Sequence, residues 1–336
     1  MNLLNAQHQI LDNQDLTLEQ MKSIMQSIMS GSQTTQEIKE FLIALNRKGY
    51  AIDELVGAAE VMREKSPKLN INCQDNIDTC GTGGTGLHVF NCSSAAGIVV
   101  ASLGHQVTKH GNKGISSNSG SADFFVYQGA NIQHDKEKIG EILGESNFVF
   151  LFAPLLHPAM KFVMEARQSI PEKTIFNLLG PLTNPLSPVS QVIGLFSEKY
   201  LERYAMAASR LGIGKVAIVH GKDGCDEVSV FAKTQIVETQ NGATKSWSFD
   251  PKDFEIIHKD FHQVQVKNPA ESSHLILEAF KGKNTPASDM IAINAALAMY
   301  ITRPISLEEA FVESKQAMKD GSALATLKKY VDATNR

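Results

Sequence analysis

The sequence predicts an α/β protein, with a small helical N-terminal domain and a larger α/β domain built on a mainly parallel central sheet. Three observations carry that expectation. Residues 1–70 show amphipathic helical patterns and no strand-like run, whereas from residue 76 onward short apolar runs alternate with helical segments. Stretches rich in glycine and serine sit where the apolar runs end. At 336 residues the chain has room for two domains of about 100–200 residues each. The expected division is 1–70 and 71–336, with a segment near 160–188 joining the two parts.

The elements follow in order. LTLEQMKSIMQSIMSG opens with Thr17 and has Gln20 three positions on, a capping box in which each side chain answers the other's backbone N–H. Met21, Ile24, Met25 and Ile28 then recur at helical spacing before Gly31. TTQEIKEFLIALNRKG repeats the plan, with Thr34 and Glu37 as the cap, Ile38, Phe41, Leu42 and Leu45 as the stripe, and Gly49 as the stop. DELVGAAEVMREKSP predicts a third helix from near Asp53, ending before Pro67 because proline disfavours the α conformation in the residue ahead of it.

NIDTC then reads as a strand, followed by a helix near 91–103, a strand at HQVTKH, a helix near 119–128 and a strand at FVFLF. RQSIPEKTIFNLLGPLTNPLSP holds four of the eleven prolines, breaks this rhythm, and is expected to cross between the domains. SQVIGLF, a helix near 198–211 and KVAIVH resume it. TQIVETQNGATKSWSF predicts a hairpin turning at Asn241–Gly242 on a sheet edge. SDMIAINAALAMYITR and ISLEEAFVESKQAMKDG are the expected closing helices.

Composition narrows the function classes. Hydrophobic residues make up 43% and charged residues 20%, and the net charge of −4 gives no reason to expect nucleic acid as the main partner. No apolar run approaches the roughly 18–20 residues of a membrane helix. The N-terminus lacks the basic start and apolar stretch of a secretory signal, and Cys73, Cys80, Cys92 and Cys225 show no CxxC spacing, so a reducing, cytoplasmic location is expected.

Four clusters carry chemistry. DTCGTGGTG followed by NCSSAAG places glycines at the end of a strand and the start of a helix, where backbone N–H groups can face an anion, with Asn91, Ser93 and Ser94 as side-chain donors. It is neither the dinucleotide GxGxxG nor the Walker GxxxxGK[ST] pattern. The second, KHGNKGISSNSGSADFF, gathers Lys109, His110, Asn112, Lys113 and serines 116, 117, 119 and 121 after a strand, a second half of an anion site. The third, HGKDGCDEVSV, sets Asp226 beside Glu227, a pair suited to hydrated Mg²⁺ shared with a phosphorylated ligand. In the fourth, Pro154, His157 and Met160 can shape a semi-apolar pocket, with Arg167 able to grip a carboxylate in bidentate fashion.

Taken together, GTGG, KHGN, SGSAD, FNLLGPLTNP and DGCDE, in this order and spacing, resemble the anthranilate phosphoribosyltransferases across nearly the whole chain. The resemblance implies the nucleoside-phosphorylase-type fold, Mg²⁺ as cofactor, and transfer of 5-phosphoribosyl from 5-phosphoribosyl-1-pyrophosphate (PRPP) to anthranilate in tryptophan biosynthesis. It further implies a homodimer through the N-terminal helices. By position, Gly81, Thr82, Gly83, Gly84, Thr85, Asn91, Ser93, Ser94, Lys109, Asn112, Lys113 and Ser121 match the PRPP site. Gly81, His110, Asn112, Pro154, His157, Met160, Arg167 and Gly180 match the anthranilate route, Arg167 facing the carboxylate. Ser93, Asp226 and Glu227 match the metal site. No covalent nucleophile or acid–base residue is implied, since an amine that is neutral near pH 7 already attacks and stabilisation of the leaving pyrophosphate does most of the work.

Three departures stand out. Thr85 occupies a usually acidic position, Lys113 and Gly114 follow KHGN where an arginine and a small residue are common, and Leu155 and Leu156 replace frequently polar or aromatic residues. Competing readings are a paralogue using PRPP with another aromatic acceptor, a pyrimidine nucleoside phosphorylase, and a non-catalytic nucleic-acid-binding relative. The last is disfavoured by the retained glycine loop and carboxylates and by the mildly acidic charge.

Overall fold

Four helices precede the first strand in the computed structural model, which describes residues 1–336 apart from 70, 72, 74, 115–117 and 241. Ser116 and Ser117 of the second cluster and Asn241 of the expected turn therefore lie outside the described residues. The helices are α1 (Leu3–Leu11), α2 (Leu18–Ile28), α3 (Thr35–Lys48) and α4 (Ile52–Lys65). Their ends obey local chemistry. Gln20 N donates to Thr17 Oγ1 at 3.3 Å while Thr17 N donates to Gln20 Oε1 at 2.9 Å, and Thr34 and Glu37 do the same. The predicted stripes of α2 and α3 are the buried ones. Two features went unpredicted: α1, capped by Asn2, and the fastening of α4, where the buried Glu54 carboxylate accepts from Leu16 N, Ala51 N and Lys48 Nζ.

The sheet has seven strands in the order β3-β2-β1-β4-β5-β6-β7. They are β1 (Ile77–Asp78), β2 (Val107–Gly111), β3 (Phe148–Phe152), β4 (Ser190–Gly194), β5 (Lys215–Gly221), β6 (Thr234–Gln240) and β7 (Ala243–Phe249). The first five pair in parallel, and β6 and β7 are antiparallel, with β7 at the edge as the hairpin signal requires. β1 is shorter than NIDTC suggests, because the chain leaves the ladder at Thr79, whose hydroxyl donates to Ser93 O at 2.8 Å.

The remaining helices are α5 (Cys92–Ser102), α6 (Ser121–Tyr127), α7 (Lys136–Ser146), α8 (Ala153–Leu156), α9 (Met164–Gln168), α10 (Phe176–Leu182), α11 (Leu201–Arg210), α12 (Pro269–Phe280), α13 (Pro286–Thr302), α14 (Leu307–Lys319) and α15 (Ser322–Thr334). Of these, α7, α8, α9, α10, α12 and α15 extend the expected set. The signal for α12 was present, since Asn268 caps it and Pro269 stands at its first turn.

Strand β5 shows why its run is apolar throughout: Val216 and Ile218 face one core, Ala217 and Val219 the other. The core that Ala217 and Val219 face holds α5, α7 and α12–α15 against the sheet; the one that Val216 and Ile218 face joins α1–α4, residues 163–182, α11 and the opposite face of β4–β6. Among the described residues no helix is long and apolar enough to cross a membrane.

Strand order reverses at β1, which pairs with β2 on one side and β4 on the other. Crevices at such reversals, beyond the carboxyl ends of the strands, are the usual ligand sites of open parallel sheets.

Candidate active site

The glycine stretch lies at this crevice, immediately after β1. Gly83, Gly84 and Gly86 take φ values of 63°, 76° and 77°, the left-handed region that glycine enters without cost. Thr82 pins the loop to β4: its N–H donates to Gly194 O at 2.8 Å, its hydroxyl to the same oxygen at 3.1 Å, and it accepts from Phe196 N at 3.1 Å. A side chain at Gly81 would meet Gly194 O at 3.2 Å and Asp226 Oδ2 at 3.5 Å, so this glycine is needed for close approach.

Asp226 and Glu227 reach the crevice from the turn after β5. Gly83 N donates to Asp226 Oδ2 at 2.9 Å and Ser93 N, in the first turn of α5, donates to Glu227 Oε1 at 3.2 Å. Neither carboxylate has an ion-pair partner within 4 Å among the described residues. Burial pushes the pKa of both upward, and for Glu227 the neighbouring Asp226 charge adds to the rise. Two half-buried, mutually repelling carboxylates without a cation fit a divalent ion that takes one or two protein carboxylates and otherwise phosphate and water. No group of three or more His, Cys, Asp or Glu able to hold a metal occurs among the described residues, so an ion here depends on its substrate for further ligands.

Lys109 projects from β2 into the same space. It is 2% exposed, and its ammonium donates to Thr79 O at 3.0 Å and Ser93 Oγ at 3.3 Å. Beneath it the buried Asp78 carboxylate accepts from Asn184 Nδ2 at 2.8 Å, Gln191 Nε2 at 3.2 Å and His110 N at 3.3 Å. Burial pushes Asp78 up to about 6, against the pull of Lys109. Ser94 Oγ, at the start of α5, is buried without a partner among the described residues, which suits a ligand oxygen arriving at that helix end. Asn91, expected as a side-chain donor, also engages the chain itself. Its Oδ1 accepts from Ser119 Oγ and Ser272 Oγ, each at 2.7 Å, and its Nδ2 donates to Ser119 O at 3.1 Å, so it braces the loop before α6.

At that loop Asn112 O accepts from Ser121 Oγ at 3.3 Å, and Asn112 Oδ1 accepts from Lys113 N at 2.8 Å. The Lys113 ammonium is exposed and makes no hydrogen bond or ion pair among the described residues. Thr85 serves its own turn, its hydroxyl accepting from Leu87 N at 3.3 Å.

On the β2–β3 side, His110 Nδ1 lies 3.1 Å from Gly180 O and His157 Nε2 lies 3.2 Å from His110 Nε2, with Ser66 Oγ 2.8 Å from His157 Nδ1. Burial lowers both imidazoles, His110 to about 3 and His157 to about 4. Pro154 lies on α8 and Met160 on the turn after it, on either side of His157 in the chain. Arg167, on α9, has its guanidinium 5.4 Å from the Phe176 ring centre and makes no hydrogen bond or ion pair among the described residues. Sequence reasoning missed Ser66, Asp78, Thr79 and Gly194, because nothing local marks a residue whose partner is 14 to 113 positions away.

Residues 73–324 match the glycosyl transferase family a/b domain and residues 6–66 the glycosyl transferase family helical bundle domain. The anthranilate phosphoribosyltransferase of Aquifex aeolicus (strain VF5) is 36% identical over 97% of both chains. The chain belongs to the anthranilate phosphoribosyltransferase family. A crystal structure of the anthranilate phosphoribosyltransferase from Thermus thermophilus matches 98% of this chain and 99% of its own with a TM-score of 0.92 at 31% identity. The Saccharomyces cerevisiae anthranilate phosphoribosyltransferase, solved in complex with PRPP and Mg, matches 99% and 98% with a TM-score of 0.91 at 25% identity. The expected α/β fold with its helical N-terminal part is therefore that of the anthranilate phosphoribosyltransferase family.

Proposed function

We propose that the chain transfers the 5-phosphoribosyl group of PRPP to the amino nitrogen of anthranilate, giving N-(5-phosphoribosyl)anthranilate and pyrophosphate. One observation carries the reading beyond family membership: the Gly83 N–H joins the glycine loop to a carboxylate that has no cation of its own among the described residues. A polyanionic substrate laid along residues 81–85, bringing a divalent ion with it, supplies what each side lacks.

Asp226 and Glu227, with Ser93 beside them, would hold Mg²⁺, whose charge stabilises the departing pyrophosphate. The backbone N–H groups of 81–85, Asn91 through its brace, Ser93, Ser94, Lys109, Asn112, Lys113 and Ser121 bind and orient PRPP. Arg167 pairs with the anthranilate carboxylate, while Gly81, His110, Asn112, Pro154, His157, Met160 and Gly180 line its place. In the transfer the C1–O bond breaks with its electron pair leaving on a pyrophosphate oxygen. The amine nitrogen forms the C1–N bond and releases its proton to solvent. The low pKa values of His110 and His157 keep both rings neutral at pH 7, so neither contributes a cation beside the positive charge that builds at C1.

The same reading places the enzyme in the cytoplasm as a homodimer through the N-terminal helices, with domains at 1–70 and 71–336. Its test is the loss of anthranilate fluorescence with PRPP and Mg²⁺, run beside Asp226→Asn and Glu227→Gln. Loss that requires PRPP, Mg²⁺ and both carboxylates is expected. PRPP binding without anthranilate consumption would redirect the assignment to another aromatic acceptor.

A further inference from the structure

The stretch between α9 and α10 carries a second cation with no anion. Lys173 Nζ lies 3.9 Å from the centre of the Phe196 ring and makes no hydrogen bond or ion pair among the described residues. The ring beneath it is tied to the glycine loop, because Phe196 N donates to Thr82 Oγ1 at 3.1 Å and Thr82 N to Gly194 O at 2.8 Å. Lys173 thus stands at the rim of the crevice on the β4 side. The Asp226 carboxylate is joined to the same loop, accepting from Gly83 N at 2.9 Å, and no ion pair joins it to Lys173 among the described residues. Attraction that has not closed into an ion pair leaves the ammonium free for a ligand shared with that carboxylate.

A parallel lies six positions earlier in the chain. Arg167 is likewise unpaired among the described residues and set over an aromatic ring, that of Phe176. Aromatic faces hold a cation in place without using its N–H donors, so both side chains keep those donors for an incoming anion.

We propose that Lys173 is a further substrate-binding residue that contacts the pyrophosphate end of PRPP, so that the segment from Arg167 to Lys173 engages both substrates at once. The proposal rests on the transferase reading above. Charge grows on pyrophosphate as the C1–O bond breaks, so a fixed cation there strengthens its hold toward the transition state. Lys173 keeps its proton throughout.

The test is steady-state kinetics and calorimetric binding of inorganic pyrophosphate with Mg²⁺, on the wild-type chain, Lys173→Met, Lys173→Arg and Phe196→Leu. A charge-assisted contact predicts that Lys173→Met raises the KM for PRPP and weakens pyrophosphate binding by about tenfold or more, with the KM for anthranilate changed less than about threefold. Lys173→Arg should recover most of the loss, and Phe196→Leu should show a smaller rise in the PRPP KM. Lys173→Gln replaces Lys173→Met if the latter loses its fold by circular dichroism. Wild-type pyrophosphate affinity in the neutral variants, or a rise in the anthranilate KM alone, overturns the assignment. If the wild-type chain itself binds no pyrophosphate and consumes no anthranilate, the transferase reading has failed and takes Lys173 with it.

Discussion

His157 Nε2 lies 3.2 Å from His110 Nε2, and the two rings meet edge to face at 71°. One carbonyl fixes the protons of both. Gly180 O only accepts, so His110 Nδ1 carries the hydrogen and His110 Nε2 becomes the acceptor. His157 Nε2 must then donate, which leaves His157 Nδ1 to the Ser66 hydroxyl at 2.8 Å, whose one hydrogen is shared with Met62 O at 3.0 Å.

A proton added to His110 at Nε2 sets two N–H groups against each other, and one added to His157 at Nδ1 leaves a charge in the same buried site, so the pair opposes acid. The sign follows from linkage. An unfolded histidine takes up a proton near pH 6.5, whereas the folded rings do so at about 3 and about 4. Stability contributed by the pair is full above pH 6.5 and falls as the pH drops toward those folded values, by at most about 1.4 kcal/mol per pH unit for each histidine. Urea midpoints at pH 7.5 and 5 should differ more for the wild-type chain than for His157→Gln. Equal differences would remove the pair as the cause.

Asp226 and Glu227 predict a pH-dependent demand for metal. With both carboxylates pushed upward, the pair retains a proton near neutrality that a divalent ion must displace. The Mg²⁺ concentration for half-maximal activity should therefore fall as pH rises from 6.5 to 8.5. Glu227→Gln should lose about a hundredfold or more in kcat, a large effect typical of a lost charge stabiliser, yet raise the melting temperature of the metal-free protein because the repulsion is gone. A lowered melting temperature would mean that the Ser93 contact outweighs that repulsion.

Thr85→Asp should move the Mg²⁺ dependence. Among the described residues the Thr85 hydroxyl answers only Leu87 N, a role that one carboxylate oxygen can keep while its charge is added beside the loop. A Mg²⁺ midpoint at least about twofold lower is expected from the extra attraction. Superimposable titrations of the two proteins would count against any metal role for this position.

Gly194→Ala tests how tightly the loop and the carboxylate turn share the end of β4. An added Cβ would collide with the Asp226 backbone oxygen, two hydrogen bonds already converging on Gly194 O from Thr82. We expect a loss of about 3 kcal/mol in urea stability, the upper end of overpacking costs, together with a raised KM for PRPP. An unchanged PRPP KM at lowered stability would separate packing from the site.

Much of the fold was legible because its signals are local. Thr17, Gln20, Thr34 and Glu37 cap the helices they were expected to cap, and the hairpin folds where its two alternating strands meet. Illegible features depended on distant partners: Glu54 gains its role from Leu16, 38 positions away, and Asn91 from Ser272, 181 positions away. The Asn91 amide also braces the loop before α6 through Ser119, a contact that its place at the start of α5 does not reveal.

By itself the sequence determined the alternation of elements, the glycine loop, the paired carboxylates and, through its ordered motifs, the family. These depend on backbone freedom, hydrophobic period and residue type, which neighbours along the chain do not alter. Only the tertiary structure decided that Gly83 meets Asp226, that Gly180 sets the proton positions of two histidines, and that Lys173 rests on Phe196 beside the loop. Burial, pKa and pairing arise from which surfaces the sheet brings together, and that is a property of contacts far apart in the chain.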